Sequence, residues 1–192
     1  MNWYTLINSI MEKEYYRNCS DKVDKVINEL VKNEISNLRV IIPTLSSYTL
    51  TTDYKKAIET EIKNEYGNVI IFDEQYDKWK QQGVMFLNIK ISNNNYYNEA
   101  FGFDIFNFLK NRMCLIYFVW NAELSKKIKQ WLGLTDGNSG NKKTDKEKRI
   151  IPTNIVLTSG EPIIRNRFIG NNHFMLANHY LQQWHLNKIN WV

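Results

Sequence analysis

The chain has 192 residues and a net charge of +5, with 43% of residues apolar and 23% charged. That balance excludes a disordered chain, and no apolar run approaches the roughly 18 residues that a membrane span needs. Cys19 and Cys114 lie far apart without metal-ligand spacing, so neither a disulfide scaffold nor a metal centre is expected, and no cofactor. The length suits a single domain over residues 1–192. Met1-Asn2-Trp3-Tyr4 has no basic or apolar leader region. The expected location is intracellular: cytoplasmic, or nuclear if the source is eukaryotic or viral. The positive charge permits a nucleic-acid partner without requiring one.

Val23, Val26, Ile27, Leu30 and Val31 fall at helical spacing, which predicts a helix over 20–32 with Ser20 as its N-cap. Residues 38–42 form a short β-branched run closed by Pro43, read as a buried strand. Helical spacing returns through Tyr54, Ala57, Ile58, Ile62 and Tyr66, with Gly67 as the C-terminal stop of a helix over 53–66. A second strand is predicted over 84–88 and a helix over 103–109. A third strand covers 115–120, and a helix follows over 122–132. Residues 133–149 change character: Gly133, Gly137, Ser139 and Gly140 mark a flexible loop, made basic by Lys142, Lys143, Lys146, Lys148 and Arg149. A fourth strand over 155–158 and a last helix over 173–184 complete the chain.

Apolar strands alternating with helices predict an α/β fold, a three-layer sandwich in which helices cover both faces of a central four-stranded parallel sheet. Ligands bind such sheets at the carboxyl ends of the strands. The residues to examine are therefore 43–49, Asn88, Asn121, Ala122 and 159–164.

Those strand ends carry a family resemblance. Leu38-Arg39-Val40-Ile41-Ile42-Pro43-Thr44-Leu45-Ser46-Ser47-Tyr48-Thr49 aligns without a gap on a strand and loop that normally ends Gly-Gln-Asp-Pro-Tyr-His. Trp79-Lys80-Gln81-Gln82-Gly83-Val84-Met85-Phe86-Leu87-Asn88 matches a second strand ending on Asn. Val156-Leu157-Thr158-Ser159-Gly160-Glu161-Pro162 matches the strand that leads into a His-Pro-Ser-Pro loop. Phe168-Ile169-Gly170, His173-Phe174, Asn178 and Ile189-Asn190-Trp191 match a C-terminal signature. In this order, the motifs resemble those of the uracil-DNA glycosylase family, and the resemblance implies that family's fold.

The resemblance also implies roles, and here the chain departs from the pattern. Ser46 stands where the family's water-orienting Asp belongs. Glu161 replaces the His that hydrogen-bonds the departing uracil anion, and a carboxylate there repels developing negative charge unless protonated. Leu45 and Thr49 replace the loop's Gln and His. The segment carrying the uracil-stacking Phe is absent from the shortened stretch between Tyr48 and Asn88. Only residues 163–167 remain of the loop that wedges DNA. Tyr48 and Asn88 survive, matching the Tyr that screens the thymine methyl and the Asn that reads the uracil edge; His173 is read as a structural helix residue.

The resemblance therefore implies a catalytically impaired homologue that binds DNA or senses a base. Lys142, Lys143, Lys146, Lys148, Arg149, Arg165 and Arg167 would contact phosphates, and single-stranded or uracil-containing DNA would be the partner. Two alternatives stand beside it: a divergent glycosylase for uracil or a modified base, with Glu161 as its acid–base group, and an accessory subunit for replication or protein interaction.

Overall fold

The computed structural model describes residues 2–45, 50–134 and 153–192. In chain order its elements are α1 (Trp3–Met11), α2 (Glu14–Val31), a 3-10 turn (Ile35–Asn37), β1 (Val40–Thr44), α3 (Thr52–Tyr66), α4 (Phe72–Gln81) and β2 (Val84–Asn88). They continue with α5 (Asn95–Leu109), β3 (Leu115–Val119), α6 (Ala122–Trp131), β4 (Asn154–Thr158), α7 (Arg165–Phe168) and α8 (His173–Gln183). The basic stretch Lys142, Lys143, Lys146, Lys148 and Arg149 lies outside the described residues, as do Ser46 and Tyr48.

The four strands form one all-parallel sheet in the order β2-β1-β3-β4. Alternation along each strand divides the core in two. Ile41, Met85, Leu87, Leu115, Tyr117 and Val119 face one layer, built from α1, α2, α5 and α6. Val40, Ile42, Val84, Ile116 and Phe118 face the other, where α3, α4, α7 and α8 pack. The expected helix–sheet–helix sandwich is thus observed.

Several boundaries differ from expectation. Pro43 does not close β1; it belongs to the strand and pairs in register with Leu87. Thr44 carbonyl accepts from Ile89 N–H on the β2 side, whereas Arg39 carbonyl accepts from Ile116 N–H on the β3 side. Pro43 shares the orientation of Arg39, and β1–β3 pairing ends at Ile41–Tyr117. Its missing N–H is therefore no loss to the ladder, which is how a proline fits a central strand.

The helix expected over 20–32 begins earlier, at Glu14. Cys19, at φ −139°, breaks its regularity one residue before Ser20, so Ser20 starts the second half of α2 rather than the helix. Helices α1 and α4 were not anticipated, and α5 extends back to Asn95, where Asn94 caps it. At α3 the reading holds closely: Thr51 accepts from Tyr54 N–H, and Gly67 takes the left-handed conformation at φ 76° that ends the helix.

Two locks hold the ends of the sheet. Gly83 enters β2 at φ +87°, and a Cβ there would lie 2.0 Å from the Asn37 carbonyl oxygen. On the far side, buried Asn178 donates to Ile189 carbonyl at 2.9 Å and accepts from Ile189 N–H at 2.8 Å. Trp191 Nε1 donates to Phe174 carbonyl at 3.1 Å. The C-terminal segment is thereby tied to α8.

Candidate functional site

From β1 the chain steps outward to β2, then crosses to the other side of β1 for β3 and β4. The switch point lies where β1 and β3 end, and crevices for ligands open at such points. A cavity opens there, lined by Thr44, Leu45, Tyr54, Trp120, Asn121 and Glu161.

Glu161 is half-buried in this cavity, and its Oε1 accepts from Asn121 Nδ2 at 2.7 Å. Asn121 is itself held in place: it is the N-cap of α6, and its Oδ1 accepts from Leu124 N–H at 2.9 Å. Glu161 is therefore positioned by a fixed amide rather than free at the rim. Tyr54 projects from α3 into the same cavity. Burial, and next the nearby Glu161 charge, raise its pKa well above the ordinary phenol value, so its hydroxyl stays protonated. The wall behind is Trp120, whose ring lies 5.9 Å from that of Tyr54.

Trp120 also accounts for His173. Trp120 Nε1 donates to His173 Nδ1 at 3.0 Å, and the histidine also hydrogen-bonds the Thr158 backbone. Burial pushes its pKa down to about 4, so it is a neutral core side chain with both ring nitrogens engaged. It takes no part in the cavity.

Asn88 opens onto a different cavity, over the free edge of β2, whose other walls include Phe72, Tyr76 and Phe86. Thr44 borders both cavities. The Oδ1 of Asn88 accepts from Lys90 N–H at 2.9 Å, a local turn that holds the end of the strand. Its Nδ2 is buried and has no hydrogen-bond partner among the described residues. Leaving a buried donor unpaired costs about 1–3 kcal/mol, so the amide is both anchored and unsatisfied.

The structure thus brings Glu161 and Asn88 to the same rim but not into one cavity. Arg167 is exposed on α7, and its carbonyl accepts from Gly160 N–H at 3.0 Å. Arg165 begins α7, with its side chain outside the described set. Sequence reasoning passed over Tyr54, Tyr76 and Trp120 as site residues, and marked Asn121 only as a strand-end position. Tyr54 read as an ordinary apolar helix position, Tyr76 lies in a helix that the pattern did not reveal, and Trp120 read as the end of the third strand. Among the described residues no group of three metal-ligating side chains occurs, and no helix is long and apolar enough to cross a membrane.

Fold and site together define an α/β protein with paired crevices at the carboxyl rim of a parallel sheet. The chain is 28% identical over 149 residues to a uracil-DNA glycosylase of Mycoplasmopsis pulmonis (strain UAB CTIP), an alignment covering 71% of this chain and 59% of that protein. This chain therefore spans about three-fifths of the relative's length. No family model matches. The alignment and the four-stranded parallel sheet support a relationship to uracil-DNA glycosylases.

Proposed function

We propose that this chain, as one domain, is a uracil-DNA glycosylase relative that binds DNA and reads an unpaired base at its sheet rim without the family's excision chemistry. The observation that carries this reading is the buried, unpartnered Nδ2 of Asn88, a residue that lines a cavity with aromatic walls. Once the side chain turns toward that cavity, a nucleobase carbonyl supplies the missing acceptor. Arg167 supplies a phosphate contact near the same rim, and the basic residues of 142–149 supply others.

The impaired chemistry is argued from Glu161. Its carboxylate occupies the rim where negative charge develops on a departing base, and Asn121 donates to that carboxylate rather than to the base. Preorganised donors, not acceptors, stabilise such an anion. The positioning of Glu161 beside Tyr54 supports a second reading, a divergent glycosylase in which Glu161 acts as acid or base.

One experiment separates these. Uracil-containing and matched thymine single strands are titrated with wild type and Asn88→Ala, and release of free base is followed on the same strands. Tighter binding to uracil DNA, lost in Asn88→Ala and without base release, is the expected result. Equal binding of both strands by both proteins would refute base reading. Release that disappears in Glu161→Gln would establish the second reading instead.

A further inference from the structure

The crevice at the ends of β1 and β3 is separate from the Asn88 cavity, and its polar lining is only partly used by the protein itself. It encloses about 230 Å³, enough for one heteroaromatic ring system. Glu161 Oε1 takes one hydrogen bond, from Asn121 Nδ2 at 2.7 Å, and Oε2 takes none among the described residues. No Lys or Arg forms an ion pair with Glu161 among them either. A carboxylate carries about four lone-pair sites on its two oxygens, so both oxygens keep room to accept. The Asn121 bond fixes the direction of the group, because Asn121 is itself held by Leu124 N–H.

Tyr54 lines the same crevice, close enough to Glu161 to feel its charge. Burial first, and that charge second, keep its phenol protonated, so it stands ready to donate. Its hydroxyl makes no hydrogen bond among the described residues, and unlike Asn88 Nδ2 it is not sealed from solvent. The rings of Tyr54 and Trp120, 5.9 Å apart, supply flat apolar walls.

Two acceptor oxygens beside one donor hydroxyl match a planar edge that carries two adjacent N–H groups beside a carbonyl. Guanine has that order on its pairing edge: the 2-amino group, N1–H and O6. Uracil sets carbonyls on both sides of its one N–H. Cytosine and adenine place a ring-nitrogen lone pair beside the amino group, and that lone pair would face the carboxylate. A guanidinium side chain also offers paired N–H groups, but it has no acceptor for the Tyr54 proton. Paired, charge-assisted bonds to a carboxylate are the strong ones.

We infer that this crevice is a second base subsite, specific for guanine: Glu161 accepts from N1–H and the 2-amino group, and Tyr54 donates to O6. The subsite goes beyond the base reading proposed for Asn88 and does not depend on it.

The test compares guanosine and inosine 5′-monophosphates, which differ only in the 2-amino group, by equilibrium dialysis against the full chain. The guanosine nucleotide should bind at least about tenfold more tightly, the effect of one hydrogen bond to a charged group. Glu161→Gln turns an amide N–H toward the same donors and should abolish that preference. Tyr54→Phe should weaken both nucleotides alike, about three- to tenfold, because both carry O6. Equal binding of the two nucleotides by wild type would overturn the inference, as would a preference that survives in Glu161→Gln. Methylguanidine binding as tightly as the guanosine nucleotide would make the crevice a site for a cationic side chain and overturn the base assignment. Asn88→Ala should keep the guanosine preference, so a failure of uracil reading leaves this subsite standing, and loss of the preference in that variant would overturn its independence. Should Glu161→Gln lose its folded circular-dichroism signal, the wild-type comparison decides.

Discussion

Replacing Glu65 with Gln should change how stability depends on pH, and the structure supplies both sign and size. Glu61 and Glu65 lie one turn apart on α3 and together cap the start of α8. Fully buried Glu61 accepts from Gly170 N–H at 2.6 Å and Asn172 N–H at 3.0 Å. Glu65 accepts from Met175 N–H at 2.6 Å and Phe174 N–H at 3.4 Å. Asn172, the N-cap residue, contributes no side-chain cap of its own, so the carboxyls of α3 do that work. Burial foremost, then the Glu61 charge, push Glu65 up to about 7 against the opposing bonds from α8.

A carboxyl raised in the folded state stabilises fully below its unfolded value and loses that stabilisation as pH rises through the folded value. For Glu65 the window runs from 4.5 to about 7. The full linkage is about 3 kcal/mol, which partial exposure reduces to about 1–2 kcal/mol. His173 acts in the opposite sense: lowered from 6.5 to about 4, it stabilises above 6.5 and loses that contribution as pH falls through about 4. The two slopes offset each other in the wild type between about pH 5 and 6.5. Gln at position 65 mimics the protonated acid, so the Glu65 slope disappears and the His173 slope is unmasked. Urea unfolding at pH 5, 6, 7 and 8 should show Glu65→Gln gaining about 1–2 kcal/mol on the wild type across that range. A difference between the two proteins that does not vary with pH would refute the reasoning.

Gly83→Ala should cost more than about 3 kcal/mol, because the residue is at φ +87° and its Cβ would lie 2.0 Å from a backbone oxygen; a melting temperature within a few degrees of wild type would count against the described turn. If residues 142–149 contact DNA phosphates, Lys→Ala changes at positions 142, 143, 146 and 148 should flatten the slope of log K against log salt by roughly 0.7–0.9 per lost contact. An unchanged slope would mark that stretch as solvated surface.

The strands were legible in the sequence because a buried parallel strand is a short, continuous apolar run. Residues 84–88 follow Gly83 and end at Asn88, and β2 has those bounds. The spaced apolar residues and Gly67 likewise defined α3, since helical spacing and a glycine stop are local. Helix α4 escaped notice because polar residues surround its three buried positions, Phe72, Gln75 and Trp79. Pro43 misled because its place in β1 depends on where pairing with β3 stops, which only the sheet decides. The same holds for the site: the pattern places Asn88 at the end of a strand and Tyr54 on a helix, but assigns neither its neighbours. Placing β1 between β2 and β3 leaves β2 as an edge, sets Asn88 over that edge beside Tyr76, and puts Glu161 across Thr44 in a separate crevice. Hydrogen bonds between residues distant in sequence form only after the strands have taken their order, and no local pattern encodes that order.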